Sequence, residues 1–308
     1  MTPTYRLIVG DALAVLRGLP NESVHCAVSS PPFWGLRSYG CAGQLGLEAT
    51  PEAYVEAMVG VFREVHRVLR RDGTLFIDIG DTWAASARGS VGDRSAPSRF
   101  AGRPSFRRDR GSIAGDGHKS APGLKRKDLV GIPWMLAFAF RADGWYLRQE
   151  IIWEKPTAQP EAVRDRPSRS HDQVFMLARS ERYFYDAAGA REPVTGGAKP
   201  RGRGVHRKAA PLLRPSGVRA NADFSAKVAG LVEERNARSV WRIASEAFGD
   251  EHYATMPTEL ARRCILLGTS EAGACSACGA PRRRLEKVER LLDGKPARAA
   301  IARAEGKL

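Results

Sequence analysis

Long apolar runs are missing from this sequence. No segment approaches the roughly 18 consecutive apolar residues that a membrane-spanning helix needs, and the amino terminus carries no signal-peptide pattern. A membrane-spanning helix is therefore not expected, nor a membrane partner, and the expected location is the cytoplasm. Cysteine is scarce as well: five in 308 residues, an odd number, spaced irregularly apart from Cys275-x-x-Cys278. That excludes a disulfide framework. Acidic residues are in deficit, 34 Asp and Glu against 49 Lys and Arg, which leaves a formal net charge of +15. No internal repeat is visible. What remains is a chain with 43% hydrophobic residues, long enough to bury a core as one large domain or two.

The surplus charge is local. Residues 84–127 hold eleven Lys and Arg against three Asp and Glu, and residues 191–238 hold eleven against four, so the two stretches carry +8 and +7 and account for the whole excess. Residues 84–127 are rich in Gly, Ser, Pro and Arg and lack an apolar period, which marks them as an excursion from a folded core, and 191–238 reads as a second basic excursion. Their candidate phosphate-neutralising residues are Arg107, Arg108, Lys125, Arg126 and Lys127 in the first, and Arg201, Arg203, Arg207 and Lys208 in the second. Solvated Arg-rich loops without a partner are the plainer alternative.

Outside them, the pattern alternates. Tyr5–Val9 reads as a short strand, Asp11 as a cap for a helix over Ala12–Leu16, and Val24–Ser29 as a buried strand. Thr50-Pro51 opens a helix with apolar residues from Tyr54 to Leu69, ended by Asp72-Gly73, and Thr74–Ile79 is a strand. A helix near Pro133–Arg141 and a strand through Trp145–Trp153 follow. Gln173–Ala178 and Arg182–Asp186 read as an antiparallel hairpin at a sheet edge, and a last helix starts near Pro257. Strand, helix, strand in succession indicates an α/β fold, a parallel sheet covered by helices.

The segment Ser30-Pro31-Pro32-Phe33 stops the Val24–Ser29 strand with two consecutive prolines, a rigid corner at a carboxyl strand end, where open α/β sheets bind ligands. It offers a hydroxyl, a carbonyl and an aromatic face. That set suits an aromatic amine: the amino group donates to the Ser30 side chain and to the Ser30 or Pro31 carbonyl, while Phe33 stacks on the ring.

With Gly10-Asp11-Ala12-Leu13 before it and Trp34-Gly35-Leu36-Arg37 after it, this corner resembles the catalytic motif of β-class DNA amino-methyltransferases. Further blocks resemble the same family in the same order: Asp78–Thr82, Gly131–Trp134, Asp143–Trp145, Ile151–Pro156, Arg169–Asp172 and His252–Pro257. The resemblance covers nearly everything outside the two basic stretches. It is closer to the cytosine-N4 group, since the adenine-N6 group usually carries Asp where this chain has Ser30. It implies a Rossmann-like sheet with helices on both faces, S-adenosyl-L-methionine as cofactor and double-stranded DNA as substrate, with a companion restriction endonuclease as a possible partner. Ser30, Pro31, Pro32 and Phe33 are then catalytic. The base is flipped from the duplex, and Phe33 or Trp34 stacks on it.

By the same resemblance, Asp11 contacts the cofactor's adenine and the segment containing His252, Thr255 and Pro257 lies on its methionine side. Asp11 also reads as a helix cap and nothing more, and His252 as structural. His171-Asp172 reads as structural or as part of the base pocket. Cys26 reads as core, and amine methylation needs no cysteine nucleophile.

One family feature is missing. A Gly-rich turn of the form Asp-Pro-Phe-x-Gly-Ser-Gly, expected after the helix with Leu260 and Cys264, does not occur in the sequence. The chain passes instead into Cys275–Pro281, which resembles the first half of a zinc ribbon; with no second pair of ligands, no metal is expected. The resulting division is a first core part over 1–83, a basic insertion over 84–127, a second core part over 128–190, a target-reading segment over 191–238, a cofactor-side return over 239–274, and a half-ribbon with a charged tail over 275–308. The sheet is expected to be incomplete at the carboxyl terminus, with a complementing fragment supplying the cofactor turn.

Overall fold

Strand β1 (Val24–Ser29) lies parallel to β2 (Leu69–Ile79), Ser29 opposite Ile77. Both are seen in a computed structural model, which describes residues 5–36, 40–84, 122–158, 160–193, 234–246 and 255–284. Helix α2 (Pro51–Val68) connects them. Its first turn is closed by Thr50, whose hydroxyl accepts from the Ala53 amide at 3.1 Å, and Pro51 sits where no amide hydrogen is required. The helix buries Tyr54, Met58, Phe62, Val65 and Val68 along one stripe.

This helix ends earlier than Asp72-Gly73. Leu69, fully buried and extended, already pairs with Val24; the register then shifts so that Cys26 faces Thr74, and Arg70–Gly73 bulge out of the ladder. Burial of Leu69 between the layers outweighs its helical propensity.

The main sheet runs β1-β2-β4-β3-β7, with β3 (Tyr146–Glu154), β4 (His171–Ala178) and β7 (Val240–Arg242). Strand β4 is antiparallel to both β2 and β3, and β7 is parallel to β3. The expected edge hairpin is therefore corrected. The Gln173–Ala178 strand exists, but it lies inside the sheet, and Arg182–Asp186 forms no strand. Val174, Phe175, Met176 and Leu177 are all buried, so both faces of β4 need cover, which an edge cannot give. Two short strands, β5 (Glu192–Pro193) and β6 (Glu234–Arg235), pair separately.

Tyr5–Val9 is likewise not a strand. Tyr5, Leu7 and Val9 are 96%, 83% and 90% exposed, because no described strand lies alongside to pair with them. Helix α1 (Ala12–Arg17) follows, capped by Asp11.

Alternation along β2 divides the core. Leu75, Ile77 and Ile79 face α2 and α3 (Ile132–Ala142), whereas Phe76 faces α4 (Thr258–Gly268) together with Trp153, Val174, Met176, Trp241, Leu260 and Cys264. Helices thus cover both faces of an α/β sheet. Among the described residues, no helix is long and apolar enough to cross a membrane.

Candidate active site

Ser30, just past β1, and Asp78, near the end of β2, share the parity of Cys26, Val28 and Phe76, so both lie on the α4 side of the sheet. Ser30 is exposed, and its hydroxyl donates to Asp78 Oδ2 at 3.2 Å. Asp78 is only 3% exposed, and its Oδ1 has no hydrogen-bond partner among the described residues. Burial pushes this carboxyl up to about 7, with a further rise from the Asp172 charge, opposed by Lys155 and by the Ser30 hydrogen bond.

Asp172 sits at the start of β4. It is ion-paired with Lys155, just past β3, and lies 3.8 Å from Arg169 Nε. The Lys155 ammonium is also 4.2 Å from the centre of the Trp153 ring.

The double-proline corner is held from behind. Tyr54 donates to the Pro32 carbonyl at 3.0 Å, the Gly35 amide to Gly46 at 2.8 Å, and Trp34 Nε1 to Glu48 at 2.8 Å. Gly46, at φ +92, has the left-handed backbone this contact needs. Trp34 is fully buried, so it is a core residue and not a stacking surface, contrary to the expectation from sequence. Phe33 is half-buried and lies directly over Gly80: a Cβ there would come within 2.6 Å of the ring.

Beyond β2, Trp83 bridges to Leu129, and the Arg166 guanidinium lies 3.3 Å from the Trp83 ring centre while bonding Glu161 at 2.6 Å. Lys125, Arg126 and Lys127 are exposed on this rim, Lys127 paired with Asp165.

The corner therefore presents acceptors: an exposed hydroxyl backed by a buried carboxylate with one oxygen unused. Neither Cys26 nor Cys264 offers it a thiolate to attack with, since burial pushes the Cys26 thiol up to about 11 and Cys264 higher still.

The family profile described as DNA methylase matches residues 24–275. The chain belongs to the DNA methylase family. This methylase is 44% identical over 265 residues to the type II methyltransferase M.XycI of Xanthomonas campestris pv. cyanopsidis, covering 85% of this chain and 72% of that protein. It is 42% identical over 265 residues to M.Cfr9I of Citrobacter freundii, with the same coverage. Among solved structures, the PvuII DNA methyltransferase, titled cytosine-N4-specific, superposes with a TM-score of 0.49 at 15% identity, over 85% of this chain and 69% of that one. The chain is thus a DNA methyltransferase of the amino-methylating family, and the cofactor of that family is S-adenosyl-L-methionine.

The methylase fits that cofactor only in part. Thr255 and Pro257 lead into α4 on the same face as Ser30, with Pro257 buried and Met256 packed on the core. Asp11, in contrast, is an exposed cap, its Oδ1 accepting from Ala14 at 2.8 Å. Cavities of about 250 Å³ beside Met176 and Trp241 and about 640 Å³ between α2 and α3 are lined by none of these residues. His252, Arg107, Arg108, Arg201, Arg203, Arg207 and Lys208 lie outside the described residues.

Cys275 and Cys278 occupy a tight turn closed by Cys275 N to Ala280 O and Gly279 N to Cys275 O, both at 2.8 Å. Among the described residues no three His, Cys, Asp or Glu side chains gather as a metal site.

The sequence places Asp78, Gly80 and Lys155 only within family blocks, gives His171-Asp172 a structural or base-pocket reading, and carries no signal for Arg166. Asp78 had a signal of its own: a lone charge inside the apolar strand Thr74–Ile79 is rarely buried without a task.

Proposed function

We propose that this chain methylates the exocyclic amine of a base flipped out of duplex DNA, and that the base is cytosine, modified at N4. The observation that carries the reading is the exposed Ser30 hydroxyl bonded at 3.2 Å to a buried Asp78 whose second oxygen has no partner among the described residues. An exocyclic amine has two hydrogens and a lone pair delocalised into the ring. Two acceptors on those hydrogens favour the geometry in which the lone pair attacks. Ser30 Oγ and the Ser30 or Pro31 carbonyl are those acceptors, and Phe33 is the stacking platform. The cofactor supplies an electrophilic methyl group. Asp78, with a proton affinity near neutrality, takes the proton that the amine loses. A hydroxyl at position 30, where a carboxylate marks the adenine-N6 group, favours cytosine.

Residues 84–127 are proposed as a clamp on the DNA backbone and 191–238 as the sequence-reading segment. A fragment bearing the Gly-rich turn is the proposed complement, and the type II names of the relatives suggest a companion restriction endonuclease. The exposed, capping Asp11 favours one second reading: a DNA-binding relic without catalysis. Calorimetry with S-adenosyl-L-methionine separates the two, micromolar binding supporting the enzyme and no binding supporting the relic.

The test of the main reading is mass spectrometry of nucleosides from DNA of cells expressing this chain with a complementing fragment. N4-methylcytosine is expected, and it disappears with Ser30→Ala or Pro31→Ala. Methylation at cytosine carbon-5 rules the mechanism out.

A further inference from the structure

Four charged or polar groups stand in one row across four neighbouring strands. Ser30 follows β1, Asp78 is on β2, Asp172 on β4 and Lys155 follows β3. Asp78 pairs in register with Val174, so Asp172, two residues away, is its diagonal neighbour on the same sheet face; Trp153 pairs with Asp172, which places Lys155 on that face too. Beside Asp172 stands Gly80, with no side chain: a Cβ there would lie 3.3 Å from Asp172 Oδ1. From Asp78 toward Lys155 exposure rises: Asp78 is 3% exposed, and the Asp172 and Lys155 side chains are 11% and 24% exposed. The α4 side is closed by Leu260 and Cys264, both fully buried.

This arrangement addresses a problem that amine methylation creates. A proton delivered to Asp78 must leave before the next turnover, and Asp78 has almost no contact with solvent. We propose that the Asp172–Lys155 pair is the proton outlet of the site, passing the proton from Asp78 to solvent. As the amine nitrogen bonds to carbon, its N–H bond breaks, the electron pair stays on nitrogen, and the proton forms an O–H bond on Asp78. The Asp78 O–H then breaks and the proton bonds to an Asp172 oxygen; that O–H breaks in turn, its electron pair staying on the Asp172 carboxylate, as solvent water at the Lys155 end takes the proton. Asp78 is again an acceptor. Asp172 and Lys155 touch neither base nor cofactor in this scheme; they are positioning residues.

Among the described residues, the charged and titratable groups facing Asp78 are Asp172, Lys155 and, through Asp172, Arg169, together with the un-ionised Cys264 thiol on α4. Their signs make the test directional. The inference rests on the proposed function, so one readout is independent of turnover: the protonation midpoint of Asp78, followed by infrared difference spectroscopy of the full chain against Asp78→Asn. Asp172→Asn is expected to lower the midpoint and Lys155→Met to raise it, each by about one pH unit, with Lys155→Arg close to wild type. The second readout is methyl transfer under multiple turnover. Asp172→Asn is expected to slow it tenfold or more, with imidazole, a small diffusible proton carrier, restoring the rate.

Midpoints that stay fixed in both Asp172→Asn and Lys155→Met overturn the outlet, as does a slowed variant that imidazole leaves slow. If Asp172→Asn does not fold, the Lys155→Met and Lys155→Arg pair decides. Absence of methylation with the midpoints moving as expected refutes the function and leaves the coupling of the row intact.

Discussion

At Ser30, an exposed hydroxyl owes its orientation to a carboxylate hidden behind it. Burial gives Asp78 a proton affinity that its sequence neighbours do not reveal, and that affinity has a stability consequence. The folded carboxyl is raised from 3.8 to about 7, so between those values the folded chain holds a proton that the unfolded chain has released. Stability therefore falls as pH rises through that window. Asp78→Asn is expected to melt above wild type at pH 8 and to lose that advantage near pH 4, as scanning calorimetry at both values would show. Gly80 sets the position of Phe33 by leaving room for its ring. Gly80→Ala and Phe33→Ala should each weaken methylation about tenfold, in line with the roughly 1–3 kcal/mol that base–aromatic stacking contributes. The double variant should be little worse than either, because both remove one platform; additive losses would show that the two act separately. The Ser-Pro-Pro-Phe corner was legible in the sequence since prolines dictate their own backbone. The Asp78–Asp172–Lys155 row was not, because it is assembled from three neighbouring strands separated by as many as 94 positions, Asp78 to Asp172.

The elements that sequence located best are those with a strong local signal. Helix α2 announces itself through Thr50, Pro51 and a buried stripe, and it forms as read at its amino end. Its carboxyl end was misread because Asp72-Gly73 looks like a stop, whereas Leu69 is drawn into β2 by packing. Strand pairing is less visible than strand existence. The apolar β4 was found, but its central place depends on pairing with both β2 and β3. At this scale, Phe62→Ala should cost about 3–5 kcal/mol in urea unfolding, since it empties the contact with Phe140 at 5.1 Å between ring centres. Thr50→Ala should cost about 1 kcal/mol through the lost cap. Equal losses from the two would contradict the division between core and surface.

For the whole molecule, the surplus charge is separated along the sequence from the neutral core. A neutral α/β core carries the corner, and Lys125, Arg126 and Lys127 stand exposed where the chain passes from β2 toward α3. If these three bind DNA phosphates, replacing all with Ala should reduce the slope of log K against log salt by about 2–3, read by fluorescence anisotropy at several salt concentrations. An unchanged slope would place the backbone contacts elsewhere. The central claim is that Ser30 and Asp78 accept the proton of an exocyclic amine, and the pH profile of single-turnover methyl transfer to duplex DNA tests it most directly. The account predicts a rate that rises with pH to a plateau with a midpoint near 7, and a loss of roughly 10²-fold or more in Asp78→Asn. A flat profile with Asp78→Asn as fast as wild type would contradict it.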